Sequence, residues 1–373
     1  MLYFVLMMYA LVLLLLVFLA YVYLAQYLFK GLARISWNKS GDSLQQWLSL
    51  AVVIAHKNDV SALTDLLAVL EDNSELKSLA IYVVDDFSNH NNRAKLEQLI
   101  RATTLKIKLI SNQGESGKKG ALQFALHQIE EEYVLQLDAD VRPSPELITE
   151  LARQWRPDTK LIIASVRMRA RTNFWSGLAA LDYLSLQLTG FASAALAEPF
   201  MASGACMLYQ RQSFLELSQV GSKWQSGEDA FFVQALAERD LQSISIAPRA
   251  FAMTDAPANF KALIRQRLRW GAKSTAYPSL KAKTLALLVA AVNFYLLAGL
   301  VYSFYNSTLL LWLFSFWLFK AFVDYRLLAN FAKHTDEKEL LRNYPFKALA
   351  YPFYIVLVVL LIPFAPKKRW LKA

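Results

Sequence analysis

One charge-free stretch constrains this chain more than anything else in it. From Leu2 to Phe29 there are only Leu, Val, Phe, Tyr, Ala and Met apart from Gln26. Such a run crosses a hydrocarbon core of about 30 Å as a helix, which pairs all its own backbone polar groups in lipid. A cleaved signal peptide is the competing reading. No Lys or Arg precedes the run and it exceeds a signal's apolar core, so a membrane helix over residues 1–29 is the expectation.

Hydrophobic residues make up 55% of the chain, concentrated in the first stretch and the last third. Within residues 284–373 lie three further apolar segments, Leu285–Tyr305, Leu309–Val323 and Leu349–Phe364, which gives about four membrane helices. Lys30, Arg34 and Lys39 follow the first run and no basic residue precedes it, so the amino terminus is expected outside and residues 47–255 in the cytoplasm. The loop with Arg326, Lys333, Lys338, Arg342 and Lys347 then also falls inside. A last helix that crossed fully would put Lys367, Lys368 and Arg369 outside, and Pro352 and Pro363 bracket it; crossing and re-entry both stay open. The expectation is a multi-pass protein of the plasma (inner) membrane.

Cys206 is the single cysteine, so no internal disulfide forms. The net charge of +10 suits nucleic acid, anionic lipid or a phosphorylated substrate. Seven Lys or Arg and no Asp or Glu fall between Lys261 and Lys283, in a basic segment (256–283) beside the apolar last third. That position favours membrane lipids and substrate phosphate, and no nucleic-acid motif appears.

In the middle of the chain, Leu48–Ala55, Leu79–Val84 and Tyr133–Leu137 read as buried strands. The helical patterns Leu63–Leu70, Leu96–Arg101 and Leu122–Ile129 alternate with them, which predicts an α/β fold with a mainly parallel sheet flanked by helices. Each strand ends in a polar cluster: His56-Lys57-Asn58-Asp59, Asp85-Asp86, and Asp138-Ala139-Asp140. In open sheets ligands bind at those ends, and the absence of G-x-G-x-x-G there argues against a dinucleotide site. Phe174–Leu196, with Asp182 its only charge, predicts a helix lying in the membrane interface.

Asp138 and Asp140, two apart at a strand end, leave on the same face and converge, which suits a hard cation such as Mg2+ or Mn2+. Capping of the next helix is the bland alternative, but Ser144 and Pro145 already supply a cap and a first-turn proline. Asp85 and Asp86 make either an Asx turn or contacts to a base or ribose. Gly117-Lys118-Lys119-Gly120 opens a helix whose amino terminus repels the two lysines unless an anion sits there, and solvated lysines are the alternative. Asp229, in Gly227-Glu228-Asp229, is either a first-turn carboxylate or a general base. Gln266, Arg269 and Trp270 share one helical face, as an interfacial Trp and snorkelling arginine or as contacts to diphosphate and sugar.

In this order the motifs resemble the membrane-bound family-2 glycosyltransferases of GT-A fold, the branch of cellulose, hyaluronan and chitin synthases and ceramide glucosyltransferases. The resemblance covers roughly Leu48 to Trp270. It implies that Asp85 and Asp59 contact the nucleoside, that Lys118 lies near the donor, and that Asp138 and Asp140 bind the metal, with Asp138 also at the donor. It further implies that Asp229 is the catalytic base and that Gln266, Arg269 and Trp270 are the family's Q-x-x-R-W, contacting the donor. Gly204, Glu228 and Trp270 are implied near the acceptor, although the residues flanking Gly204 depart from the cellulose synthase pattern and Gly227 stands where Thr is usual.

The implied activity is inverting transfer of a hexosyl or N-acetylhexosaminyl group from a nucleotide-sugar donor, a UDP-sugar, to a polysaccharide or lipid acceptor. Single addition to a glycolipid in the manner of ceramide glucosyltransferases remains a reading, as does a non-catalytic membrane scaffold or export subunit. A scaffold has no reason to keep Asp138, Asp140, Asp229 and Arg269 together. Donor sugar, acceptor, oligomeric state and any partner subunit are not legible here.

Overall fold

The computed structural model describes residues 2–37, 49–217, 227–274, 276–305 and 308–365. Lys39, Leu48, Lys367, Lys368 and Arg369 lie outside these residues. The chain divides into a sheet unit, Ser36–Arg169 with Ala197–Asp255, and a helical unit, Met1–Ile35 with Ala170–Leu196 and Ala256–Ala365.

The sheet unit holds β1 (Leu50–His56), β2 (Ala80–Asp85), β3 (Ile107–Ser111), β4 (Tyr133–Asp138), β5 (Arg142–Pro143), β6 (Leu161–Arg169), β7 (Cys206–Gln210) and β8 (Ile244–Asp255). They form one sheet in the order β3-β2-β1-β4-β7-β6-β8-β5. β3, β2, β1 and β4 run parallel, and so do β6 and β8, while β7 is antiparallel to β4 and β6 and β5 is antiparallel to β8. Every described position of β1 but Ala55 is buried, as expected of a central parallel strand covered on both faces, and this explains its unbroken apolar sequence. Leu63, Leu66, Leu67 and Leu70 form the buried stripe of the Val60–Asp72 helix, at the spacing of one helical face.

The helical unit contains Leu2–Arg34, Phe174–Ala195, Phe260–Ser274, Leu280–Ser303, Thr308–Thr335 and Tyr344–Leu361. Among the described residues three stretches are long and apolar enough to cross a membrane, Val12–Arg34, Leu280–Ser303 and Tyr344–Phe364, and they correspond to three of the four segments expected. The sequence segment Leu309–Val323 is the first part of the 28-residue Thr308–Thr335 helix, which goes on through Asp324, Arg326 and Lys333. Its Lys320 and Asp324 pair at 2.5 Å, and Tyr21 Oη donates to Asp324 Oδ1 at 2.8 Å. That polar pair interrupts the apolar run and is internally matched, beside a packed cluster of Tyr21, Val292, Leu296, Leu313 and Phe316.

The Phe174–Ala195 helix corrects the interfacial reading of its segment. Ser176 to Leu184 are buried without a break, so the helix shows no free apolar face along that stretch and is a core element of its unit. Small residues permit this. A Cβ on Gly31 of the first helix would clash with the Ala192 carbonyl oxygen, so the two helices meet at a separation only glycine allows.

Candidate active site

The parallel strands end at one level. His56 pairs with Asp85, Asp85 with Ser111, and Ala55 with Asp138, so the polar clusters of the sequence form one rim. Along this rim the two adjacent aspartates have different partners. Asp85 is buried and its Oδ2 pairs with Arg93 at 2.9 Å, while its Oδ1 has no hydrogen-bond partner among the described residues. Asp86, expected with Asp85 at an Asx turn or at a base or ribose, accepts from Gly117 N at 2.9 Å and from Asn112 Nδ2 at 3.0 Å, and pairs with Lys57 at 3.1 Å. Asp59 caps the Val60–Asp72 helix by accepting from Ala62 N at 3.1 Å, and it is exposed. Burial pushes the His56 imidazole pKa down, against the charges of Asp85 and Asp59, which raise it.

Asp86 also anchors the loop that presents Lys118. Gly117 precedes the Lys118–Leu126 helix with φ 104°, a left-handed value that glycine adopts without a Cβ clash, and its N–H is the group Asp86 holds. Gly120 is equally required, because a Cβ there would clash with the Glu115 carbonyl oxygen. Gly120→Ala is therefore expected to cost about 1–3 kcal/mol by forcing this loop open, a loss that reads out as a lower melting temperature in detergent. An unchanged melt would show that the loop yields freely.

Lys118 is the hub. Its Nζ lies 2.5 Å from Asp138 Oδ1, 3.3 Å from Glu228 Oε1 and 3.0 Å from the Gly204 carbonyl oxygen, so all three ammonium protons have acceptors. Burial lowers its pKa, but Asp138, Glu228 and Asp229 outweigh that and hold it above the ordinary lysine value. The repulsion foreseen between lysine and helix terminus is thus relieved by carboxylates of the protein itself.

Gly204 ties the rest together. Its N–H donates to Asp229 Oδ2 at 2.8 Å, and its carbonyl also accepts from Gln136 Nε2 at 2.5 Å. A Cβ on Gly204 would lie 3.1 Å from Gln136 Nε2, 3.2 Å from Glu228 Oε1 and 3.3 Å from Asp229 Oδ2. Gln136 is fully buried in β4, and its Oε1 accepts from Tyr209 Oη at 3.2 Å. Gln136 is absent from the residues expected at the site, and its one local signal is a lone amide in the apolar strand Tyr-Val-Leu-Gln-Leu-Asp. Gly227, at φ 97°, opens the Glu228–Asp240 helix and sets Glu228 and Asp229 in its first turn. Glu228 is buried with Oε2 accepting from Gly227 N at 3.0 Å, whereas Asp229 is partly exposed. Cys206 is buried next to this group, and burial with the Asp138 charge pushes its thiol up to about 12, so it is a neutral SH.

Asp138 ends β4 and Asp140 follows in an exposed turn. Burial pushes the Asp138 pKa up, Lys118 pulls it down, and Asp140 and Glu228 raise it further. Two neighbouring carboxylates with that mutual repulsion are chemically matched to an oxygen-seeking divalent cation. Among the described residues no three of His, Cys, Asp and Glu form a complete metal cage, so further ligands would come from a bound diphosphate or water. Ser144 does not cap the following helix: its N–H donates to the Phe251 carbonyl at 2.9 Å, and the helix begins at Leu147 with Glu146 at the N-cap.

In the helical unit, the Phe260–Ser274 helix carries Gln266, Arg269 and Trp270. Arg269 is exposed, Gln266 and Trp270 are partly buried, and the Trp270 ring lies 5.7 Å from that of Tyr183.

Residues 48–272 match the family described as glycosyltransferase like family 2. A relative in Sinorhizobium fredii named N-acetylglucosaminyltransferase is 26% identical over 234 residues, covering 60% of this chain and 56% of its own. One of the same name in Mesorhizobium japonicum is 27% identical over 271 residues, covering 69% of this chain and 62% of its own. The chain thus spans little more than half the length of such relatives. Among solved structures, a mannosyltransferase from Pyrobaculum calidifontis, in complex with GDP-Man and Mn2+, superimposes with a TM-score of 0.61 at 15% identity, over 96% of this chain and 98% of that one. That likeness shows a shared GT-A fold, and with the match over residues 48–272 the chain belongs to glycosyltransferase family 2.

Proposed function

We propose that this protein is an inverting, metal-dependent glycosyltransferase. It moves a sugar from a nucleotide-diphosphate donor to a polysaccharide or lipid acceptor at the cytoplasmic face of a membrane. The observation that carries the reading is the cluster of Lys118, Asp138, Glu228 and Asp229 around the Gly204 backbone, at the carboxyl ends of the parallel strands. N-acetylglucosamine is the preferred sugar, because the relatives in Sinorhizobium fredii and Mesorhizobium japonicum bear that name. Lys30 and Arg34 at the end of the first apolar run support a cytoplasmic sheet unit.

In this reading Asp229 accepts the proton of the acceptor hydroxyl as that oxygen attacks the anomeric carbon and the nucleoside diphosphate departs from the opposite side. The Gly204 N–H holds Asp229 Oδ2 in place, and Lys118 supplies positive charge toward the diphosphate. Asp138 and Asp140 would hold Mg2+ or Mn2+, whose chemistry is to neutralise charge on the leaving diphosphate. Asp85 and Asp59 are assigned to the nucleoside: Asp85 keeps Oδ1 without a hydrogen-bond partner among the described residues, while both oxygens of Asp86 are committed to the loop before Lys118. Gln266, Arg269 and Trp270 carry the diphosphate and sugar contacts of their motif, and Glu228 and Gly204 border the acceptor.

The test is nucleotide release by detergent-purified protein from UDP-GlcNAc, UDP-glucose and GDP-mannose, with Mn2+, with Mg2+ and with chelator. Turnover of UDP-GlcNAc that disappears with chelator is the expected result. Release that is indifferent to chelator would remove the metal from the proposal, and selective turnover of GDP-mannose would replace the donor.

A further inference from the structure

The Phe260–Ser274 helix contains an arginine that the Q-x-x-R-W motif does not name. Arg267 is only 6% exposed, and its Nη2 pairs with Asp182 Oδ2 at 2.7 Å and points to the Ala179 carbonyl at 3.4 Å. Asp182 is itself held by two tyrosines of the Tyr344–Leu361 helix, with Tyr351 Oη donating to Oδ1 at 3.2 Å and Tyr354 Oη to Oδ2 at 2.9 Å. The guanidinium carbon lies 4.5 Å from the centre of the Trp270 ring. One buried ion pair thus joins three helices of the unit and ends against the motif tryptophan.

Such a pair is a poor device for stability alone. Desolvating two charges costs several kcal/mol, and well-packed apolar residues of similar volume usually do as well or better. This one is also incompletely paired, since Arg267 Nε and Nη1 have no hydrogen-bond partner among the described residues. What an ion pair supplies, and an apolar contact does not, is direction. A 2.7 Å charged hydrogen bond fixes the guanidinium plane, and a cation over the ring face then fixes the ring.

We propose that Asp182 and Arg267 are positioning residues that hold Trp270, and with it the working face of the Q-x-x-R-W helix, in its productive orientation. This rests on the functional reading of that motif given above. The pair acts through Trp270 and needs no contact with substrate.

Asp182→Asn alone leaves Arg267 buried and unpaired and is liable to misfold, so the informative variant is the double substitution Asp182→Leu with Arg267→Met. It removes both charges together, and Tyr351→Phe with Tyr354→Phe is carried in the same background because those two hydroxyls would otherwise lose their acceptor; this protein is expected to melt near the wild-type temperature. The readouts are UDP-GlcNAc turnover with Mn2+ and the Trp270 emission component, obtained by subtracting the spectrum of Trp270→Phe in the same background. A positioning role predicts a turnover at least tenfold lower together with a shifted Trp270 component, and partial recovery in Asp182→Glu. An unchanged Trp270 component overturns the proposal whether or not UDP-GlcNAc is a substrate, and so does wild-type turnover in the combined variant. Wild-type turnover in Trp270→Ala would instead overturn the reading of the motif on which the proposal stands.

Discussion

Asp229→Asn is expected to lower nucleotide release from the preferred donor by about 10³-fold, within the range attributed to a positioned general base. The substitution is nearly isosteric. An amide oxygen at the Oδ2 position can still accept from the Gly204 N–H, now at 2.8 Å, so the Glu228–Asp240 helix and the Gly204 turn should keep their places at the cost of the single bond that Oδ1 accepts from Ala230 N. What disappears is the capacity to take a proton. The loss should therefore fall on turnover rather than on melting temperature or on donor binding measured without acceptor. Turnover within a few-fold of wild type would sink the base assignment, whatever else the family relation implies. A matched fall in turnover and melting temperature would assign Asp229 to the fold instead.

The neighbouring Glu228→Gln makes the contrast. Glu228 is buried with one oxygen toward Lys118 and the other on Gly227 N, so it balances charge and shapes the turn. Neutralising it should disturb stability as well as rate, and the two adjacent acidic residues become distinguishable by which property moves.

How much of this was legible in the sequence depends on how local each signal is. The strands around the site were readable because β1, β2 and β4 are short apolar runs ending in a polar residue, His56, Asp85 and Asp138, and these are neighbouring parallel strands of the sheet. β7 and β8 gave no such cue. β8 contains Pro248 and Arg249 and its register with β6 breaks between Ala164 and Ser165, so its pairing depends on a distant partner rather than on its own pattern. The Phe174–Ala195 helix was misread for a related reason. A helix whose residues are small and apolar on all sides is ambiguous between lipid and protein surroundings, and only its packing, as at Gly31 against Ala192, decides.

The site residues divide in the same way. Lys118, Asp138, Glu228 and Asp229 stood out because charge at a strand end or helix start is locally unusual, and the structure brings all four to one backbone turn. Gln136 did not stand out, and Asp86 stood out only for an Asx turn or a nucleoside contact, since their importance lies in holding Gly204 and Gly117, and backbone groups leave no mark in a sequence. Three of the four apolar segments are candidate spans among the described residues, whereas the Leu309–Val323 run holds Lys320 and leads within its own helix straight into Asp324 and Arg326; that Lys320 and Asp324 are matched with each other and with Tyr21 shows only once the helices are packed.

Lys118→Met is the second substitution expected to have a large effect, and it separates the protein's own cation from a bound one. Removing the ammonium leaves Asp138 and Glu228 facing each other, with Asp229 and Asp140 nearby and no positive charge among them. Breaking a fully buried pair costs about 3–5 kcal/mol. Here the Lys118 and Asp138 side chains are 28% and 32% exposed, so about 2–3 kcal/mol is expected after solvent screening. Donor turnover should fall at least 10²-fold, because charge toward the diphosphate is lost together with the support of Gly204. The decisive measurement is the melting temperature with and without Mn2+ in the absence of nucleotide. Freed of the lysine, Asp138 with Asp140 should bind the divalent ion more tightly than in wild type, so Mn2+ should raise the melt of Lys118→Met further than that of the parent, and Asp138→Asn in the same background should abolish the rise. Equal responses to Mn2+ in all three proteins would mean that Asp138 is not a metal ligand and that its partner is the lysine alone.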